Sequence, residues 1–477
     1  MHQLNRAALG ALPPESRPRV DPADLRTRIV HFGIGAFHRA HQALYTENAA
    51  AHSGEPWGTA AVAPRSASTA DALRAQDCLY SLTERRPEGG VPRVVGALTG
   101  AYALGRDAAE VDALLIDPGT TVVTLTVTEK GYHRSPATGG LDTTDASVAA
   151  DLATAREGRA TTVIGRLACG LAARMRSGAA PISVVSCDNM ADNGAVLSRV
   201  VRDFVQASDL PDRERILTAM AETVAFPATV VDRIVPATTP DDLRATAGAL
   251  GVHDALPVTG EPYRQWVLED RFTAPRPPWE RDGALLVPDV APYQLTKLRL
   301  LNGAHSALAH LGIAAGRTTV ADAMADGWGE RLVKALCAEV APTLPDGGPD
   351  PARYADDLVA RFRNPAMRHS LRQIASDSSL KITERWLPAL RLLRERGAAT
   401  PVLELALAGW VHLTRDQDIP DPARAALTTC WQTGPDDRAV VRALLTTVGA
   451  PDLADDSGLV TAVVRHLPAL RAGRVDL

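Results

Sequence analysis

The chain has 477 residues, 45% of them hydrophobic and 22% charged, with a net charge of −5. Such a length exceeds one ordinary core and predicts two or three domains of a soluble globular protein. The acidic balance leaves no basic footprint for nucleic acid, and no run approaches the ~18 apolar residues of a membrane helix.

The N-terminal stretch has a short apolar patch, interrupted by Pro13-Pro14 and without the basic region of a secretion signal. Arg28-Ile-Val-His-Phe-Gly33 then reads as a strand ending in a tight turn, with a helix starting near Phe37. Gly58 to Ala63 is the next strand, and Asp71 to Ala75 belongs to a short helix. Thr120 to Thr128 is dense in β-branched residues, as a strand buried on both faces would be. Ile182 to Cys187 is another such run, followed by Asp188-Asn-Met-Ala-Asp-Asn193-Gly194 and a helix over Leu197 to Ala207. Strands alternating with helices predict an α/β domain with a largely parallel sheet. From about Tyr293 the pattern becomes helical throughout, with breaks at Thr343 to Pro351 and Ile419 to Pro422. The boundary is placed near residue 285, after the Pro-rich stretch Ala274-Pro-Arg-Pro-Pro278, giving domains 1–285 and 286–477.

Five cysteines (Cys78, Cys169, Cys187, Cys337, Cys430) are scattered, with no CxxC pair and no histidine at metal spacing. Reduced thiols in the cytoplasm are expected, and no metal site.

Two segments carry chemistry. Gly33-Ile34-Gly35-Ala36-Phe37-His38 supplies the first two glycines of a dinucleotide fingerprint, with His38 where the third would stand. Gly33 makes the turn, Gly35 lets the backbone approach a pyrophosphate, and the helix N-terminus supplies N–H groups. After the strand ending at Ala63, the chain reads Pro64-Arg65-Ser66, with no carboxylate for the adenosine ribose. Arg65 and Ser66 suit a 2′-phosphate, or Arg65 is a solvated loop residue; NAD and NADP both stay open.

Lys297-Leu-Arg-Leu-Leu-Asn302-Gly-Ala-His305 places a lysine, an amide and an imidazole on one helical segment. At about 100° per residue, Asn302 lies about 140° and His305 about 80° round from Lys297, so all three reach one pocket. The alternative makes Lys297 and Arg299 surface charges and His305 a satisfied core histidine. The surrounding leucines argue for burial, and a buried lysine loses its proton easily.

Gly33 to His41, Ser186 to Gly194, Val231-Asp-Arg-Ile-Val-Pro236, Glu261-Pro-Tyr-Arg-Gln-Trp-Val-Leu-Glu-Asp270 and Lys297 to His305 together resemble the mannitol dehydrogenase family, the polyol-specific long-chain dehydrogenases and reductases. The resemblance implies an N-terminal Rossmann-type domain, a mostly helical C-terminal domain, an active site in the cleft between them and no metal. It implies that Lys297 is the general acid/base, that Asn193 and Asn302 are oxyanion-type amide donors, and that His305 orients substrate. Asp232 matches an acid near the family's site and either relays protons or pairs with Arg233. Without the resemblance, Asn193 reads as a turn or capping residue.

Asn364 to Lys381 resembles the fructuronate reductases within that family, as do Thr128-Glu-Lys-Gly-Tyr-His133 and Val287 to Tyr293. Gln373 stands where mannitol 2-dehydrogenases carry arginine. Ala75 to Glu84, by contrast, reads more like a mannitol dehydrogenase. Lys381, Arg372 and Gln373 are then candidates for a hexuronate carboxylate, although Lys381 suits a polyol hydroxyl equally and Arg372 also reads as a surface residue. The family's Asp-Gly-Ser before the lysine is Asp377-Ser378-Ser379 here, which puts the turn presenting Lys381 in question. The expected activity is D-fructuronate/D-mannonate interconversion with NAD or NADP by a monomer or small homo-oligomer. Mannitol or arabinitol oxidation is the alternative, and a catalytically idle ligand-binding relative is the reading of another class.

Overall fold

The computed structural model describes residues 2–178, 180–415, 418–432 and 436–477. It divides into two compact units, Met1–Val290 and Ala291–Leu477. Leu285–Val287 pairs in parallel with Gln265–Glu269, which keeps that stretch in the first unit.

The first unit is built on a six-stranded sheet. Its strands are β1 (Arg26–Phe32), β2 (Trp57–Ala63), β3 (Leu98–Ala103), β4 (Val122–Leu125), β5 (Ile182–Ser186) and β6 (Val224–Ala225). They lie in the order β3-β2-β1-β4-β5-β6, every pair parallel. This is the doubly wound order, in which the chain leaves β1 on one side, returns, and continues on the other, so that ligands meet the strand ends at β1/β4. The Val, Ile and Leu runs form these strands because both faces are covered: Val30, Phe32, Val123, Leu125 and Val184 pack in one core with Leu167, Leu197 and Phe204. Each such side chain contributes about 1.5–3 kcal/mol by leaving water.

Two readings of the sequence need correction. β3 was not anticipated, because Leu98-Thr-Gly-Ala-Tyr-Ala103 lacks the β-branched run; the Tyr102 ring covers Gly100 instead. The strand expected over Thr120 to Thr128 is only Val122–Leu125. Thr128 adopts φ 67 and ψ 161, a region that a β-branched residue occupies only under strain. Asp188 holds it there: Oδ1 accepts from the Thr128 N–H at 2.7 Å, and Oδ2 accepts from the Val127 N–H and from the Tyr132 hydroxyl at 2.7 Å. The Thr128–His133 and Ser186–Gly194 motifs are thus stitched together by one carboxylate.

The second unit contains helices and no strand among the described residues. Its central helix, α3 (Gly303–Ala314), is buried from Gly303 to Gly312. A helix apolar all round must be enclosed, and Leu308 and Leu311 pack in one core with Leu336, Trp386 and Trp410. No helix among the described residues is long and apolar enough to cross a membrane.

Candidate active site

The turn after β1 is fixed from beneath. Gly33 has φ +115, and a Cβ there would lie 2.1 Å from the Thr126 carbonyl oxygen, so only glycine fits. Its own carbonyl accepts from the Gly35 N–H at 2.8 Å, from the Thr126 hydroxyl at 2.9 Å and from His31 Nε2 at 2.8 Å. Because a carbonyl can only accept, His31 carries its proton on Nε2, and Nδ1 accepts from the Thr124 hydroxyl at 2.7 Å. A trans peptide points its N–H opposite to its C=O. Drawing the Gly33 oxygen inward therefore aims the Ile34 N–H outward.

A Cβ at Gly35 would meet nothing within 4 Å, unlike one at Gly33. That open face, at the start of α1 (Ala36–Ala40), fits the close approach of a dinucleotide pyrophosphate. Ile34 is buried, Ala36 and Phe37 are half-buried, and Arg65 is exposed just beyond β2. Ser66 Oγ accepts from the Ser68 N–H, which commits that hydroxyl to the start of the next helix.

His38 does not take the place of a third glycine by being small. It is buried and stacks on His31 with ring centroids 3.4 Å apart and planes 12° from parallel. Burial, then the neighbouring His31, hold its pKa well below 6.5. Neither His38 nitrogen, nor either amide atom of nearby Gln42, meets hydrogen-bond geometry among the described residues.

Asn193 opens α2 (Asn193–Ala207) and is 1% exposed. Its Nδ2 donates to the Asp188 carbonyl at 3.1 Å and the Thr229 carbonyl at 3.0 Å, while Oδ1 accepts from the Thr229 N–H at 2.9 Å. Both amide hydrogens are spent inside the fold, so donation to a substrate oxygen requires one of these bonds to open. Asp232 is buried at the end of strand Thr229–Asp232. Arg233, offered above as its partner, directs its guanidinium to Glu84 and to the carbonyls of Ala40 and Glu261.

The second unit changes the helical geometry assumed from sequence. Lys297–Asn302 is a π-helical turn, not α-helix; it continues from the helix Ala291–Thr296 and leads into α3. The Gly303 N–H accordingly reaches back five residues to the Leu298 carbonyl. An i→i+5 turn brings residues five apart onto one face. Lys297 and Asn302 are five apart, and the 140° separation expected from α geometry does not apply. Sequence periodicity missed this because nothing in a run of leucines distinguishes 3.6 from wider winding.

Lys297 and Arg299 are both buried, at 9% and 7% exposure, so neither is a surface charge. Arg299 donates to the Thr343 carbonyl. His305 is not a satisfied core histidine: it is 8% exposed, stacks on Phe362 at 4.2 Å, and its Nε2 has no hydrogen-bond partner among the described residues. Burial, then His369, Arg361 and Arg385, keep its pKa well below 6.5. Asn302 is half-buried.

Of the residues expected to hold substrate, Arg372 and Gln373 are exposed on α4 (Leu371–Ala375). Lys381, on α5 (Ser378–Arg385), is half-buried, and its Nζ donates to the carbonyls of Ile374 at 3.0 Å and Ser376 at 2.6 Å. Burial, then Arg385, lower its pKa. The position where the family has glycine needs no left-handed backbone here: the left-handed residue is Asp377, at φ 56, while Ser378 is already helical. Arg385 and Trp386, which sequence did not single out, both donate to carbonyls at the start of α3.

No group of three or more His, Cys, Asp or Glu among the described residues could hold a metal ion. A nucleotide-type turn on a doubly wound sheet, and a buried lysine, a half-buried amide and an imidazole whose Nε2 has no partner among the described residues, are the kinds of group that hydride-transfer chemistry uses.

Comparison with known proteins agrees with that geometry. The mannitol dehydrogenase Rossmann-domain family model matches residues 27–281, and the mannitol dehydrogenase C-terminal-domain model matches residues 289–471. The chain is 40% identical over 460 residues to the uncharacterized oxidoreductase YdfI of Escherichia coli strain K12, covering 94% of this chain and 93% of that one. It is 38% identical over 474 residues to the D-mannonate oxidoreductase of the same organism, covering 95% and 96%. The solved structure of Pseudomonas fluorescens mannitol 2-dehydrogenase in ternary complex with NAD and D-mannitol superposes with a TM-score of 0.80 at 32% identity, covering 98% of this chain and 97% of that one. The chain belongs to the mannitol dehydrogenase family and is an oxidoreductase.

Proposed function

We propose that the protein interconverts D-fructuronate and D-mannonate with NAD(H), using Lys297 as general acid/base. When bound at the Gly33–Phe37 turn, the nicotinamide cofactor supplies or accepts the hydride. In the reducing direction, the Lys297 ammonium gives its proton to the oxygen that becomes the hydroxyl; in the oxidising direction, its amine takes that proton back. Asn302, turned to the same face by the π turn, donates to that oxygen as charge develops on it. His305 Nε2, without a partner among the described residues, takes a substrate hydroxyl as its partner and so orients the sugar chain. Arg65, at the end of β2, takes the adenosine end of the cofactor.

The observation that carries the substrate class is the surplus of cationic groups around His305. His369 lies 5.2 Å from it, ring to ring. Arg385 acts electrostatically on His305 and Lys381 on His369; neither cation makes a salt bridge among the described residues, and only the more distant charges of Asp377 and Asp421 (on Lys381) and Glu384 (on Arg385) offset them in part. A substrate carboxylate would complete such a cluster; a neutral polyol would not. The 38% identity to a D-mannonate oxidoreductase over nearly the whole chain supports the same reading.

The test is a direct assay of fructuronate against fructose and xylulose, with NADH and NADPH, for the wild type and Lys297→Ala. Higher kcat/KM for fructuronate with NADH, abolished in Lys297→Ala with NADH affinity within a few-fold, is expected. Preference for fructose would move the assignment to mannitol oxidation, and no turnover of any of them would leave a ligand-binding relative.

A further inference from the structure

We propose that Arg385 is a positioning residue that holds the π turn and thereby keeps Lys297 and Asn302 on one face. Its Nη1 donates to the Asn302 carbonyl at 3.1 Å and to Ser306 Oγ at 2.8 Å, so one guanidinium nitrogen straddles the junction where the π turn becomes α3. The next residue, Trp386, donates its indole N–H to the Gly303 carbonyl at 3.2 Å. Two adjacent side chains at the end of α5 thus grip two consecutive carbonyls at that junction.

The position of this clip has a geometric consequence. A single wide turn inside an α-helix contains one residue more than its neighbours, and survives where outside donors compensate its irregular bonding. The Asn302 and Gly303 carbonyls open α3 directly after the π turn, so the clip fixes the first turn of the helix into which the wide turn must run. If the segment relaxed to α geometry, five residues would span about 140°, and Asn302 would rotate away from Lys297. Arg385 makes no ion pair among the described residues, and its Nη1 is directed at the Asn302 carbonyl and the Ser306 hydroxyl. Burial lowers its pKa to about 10, which still leaves it cationic at neutral pH. Trp386 is itself fully buried and stands edge-on to His310 at 5.3 Å, which fixes the far end of the clip.

The inference rests on Lys297 being the acid/base, and the experiment separates the two. Arg385→Met, Arg385→Lys and Ser306→Ala are compared with Lys297→Ala for kcat, KM of each substrate, and the pH profile of kcat. Arg385→Met is expected to lower kcat about 100-fold, the scale of an ångström of misplacement, with the KM for NADH within two-fold. The pH limb assigned to Lys297 should move in the same variant. Guanidinium added to Arg385→Met should recover part of the rate, and Ser306→Ala should fall between it and wild type. A crystal structure of Arg385→Met should show Lys297–Asn302 rewound. Should Arg385→Met not fold, Arg385→Lys and Ser306→Ala carry the same readouts. Wild-type kcat and pH profile in the Arg385 variants, or an unchanged π turn in their crystals, would overturn the positioning role while leaving Lys297 in place. An active Lys297→Ala would instead remove the acid/base assignment itself.

Discussion

His31 and His38 lie face to face, 3.4 Å apart, beneath the turn that Gly33 and Gly35 form. One ring is committed through both nitrogens to Thr124 and Gly33, while the other meets strict hydrogen-bond geometry with no described residue and has only Gln42 beside it as a polar partner. Two cationic imidazoles could not stack so closely in a dry interior, so both are neutral. Desolvation is the largest cause in each, and it takes His31 down to about 3.

That neutrality predicts acid lability. His41, like His31, is lowered to about 3 by burial, and so is His310 in the second unit, where His305 is also held well below 6.5. The unfolded chain takes up protons below 6.5, whereas these folded imidazoles do not. Their contribution is therefore fully present above 6.5 and is lost as pH falls from 6.5 toward about 3. One unit below 6.5, each costs about 1.4 kcal/mol. Burial lowers His31, His38 and His41 in the first unit and His305, His310, His369, His412 and His466 in the second, so the thermal midpoints of both units should drop between pH 7.5 and 5.5. His38→Phe, which keeps an aromatic ring in the stack and gives up only the contact with Gln42, should flatten the drop; an unchanged slope would contradict the depressed pKa of His38.

The two turn glycines should behave oppositely. Gly33→Ala puts a methyl against the Thr126 carbonyl at a left-handed φ, so it should lose at least about 3 kcal/mol of stability from strain and overpacking together. Gly35→Ala enters open space and should leave the thermal midpoint unchanged. Fluorescence titration should nevertheless show NADH binding weakened by an order of magnitude or more, because the methyl would occupy the phosphate's approach. Equal losses of stability in both variants would contradict this division.

The two asparagines should also separate. Asn193→Ala strands the buried Thr229 N–H and two carbonyls, so about 1–3 kcal/mol of stability should go with it. Asn302→Ala, at a half-buried position, should lower kcat with little change in urea midpoint. Denaturation curves and steady-state rates on the same preparations decide between these outcomes.

Thr128 supplies a stabilising substitution. Its φ of 67 with ψ of 161 is glycine territory. Thr128→Gly should relieve about 1–3 kcal/mol of strain and return roughly 1 of it as chain entropy. A net gain in midpoint is expected, and a loss would mean that the threonine side chain compensates its backbone.

The sequence by itself carried the fold class and named the candidate groups. A run such as Ile182 to Cys187 reads as a strand covered on both faces, a glycine after the first strand reads as a turn, and lysine, asparagine and histidine within nine residues are candidates for proton chemistry. What it could not carry was how those groups are held. Asn193 read from the sequence as a turn or capping residue, and only the family resemblance made it a donor; its amide hydrogens bond to Asp188 and Thr229, which are 5 and 36 positions away in the chain. The angle between Lys297 and Asn302 followed from an α period that the backbone does not keep. Only tertiary structure decides such matters, because hydrogen-bond commitment and helical winding depend on distant groups (Asp188 with Thr128, Arg385 with Asn302) whose proximity no local pattern encodes.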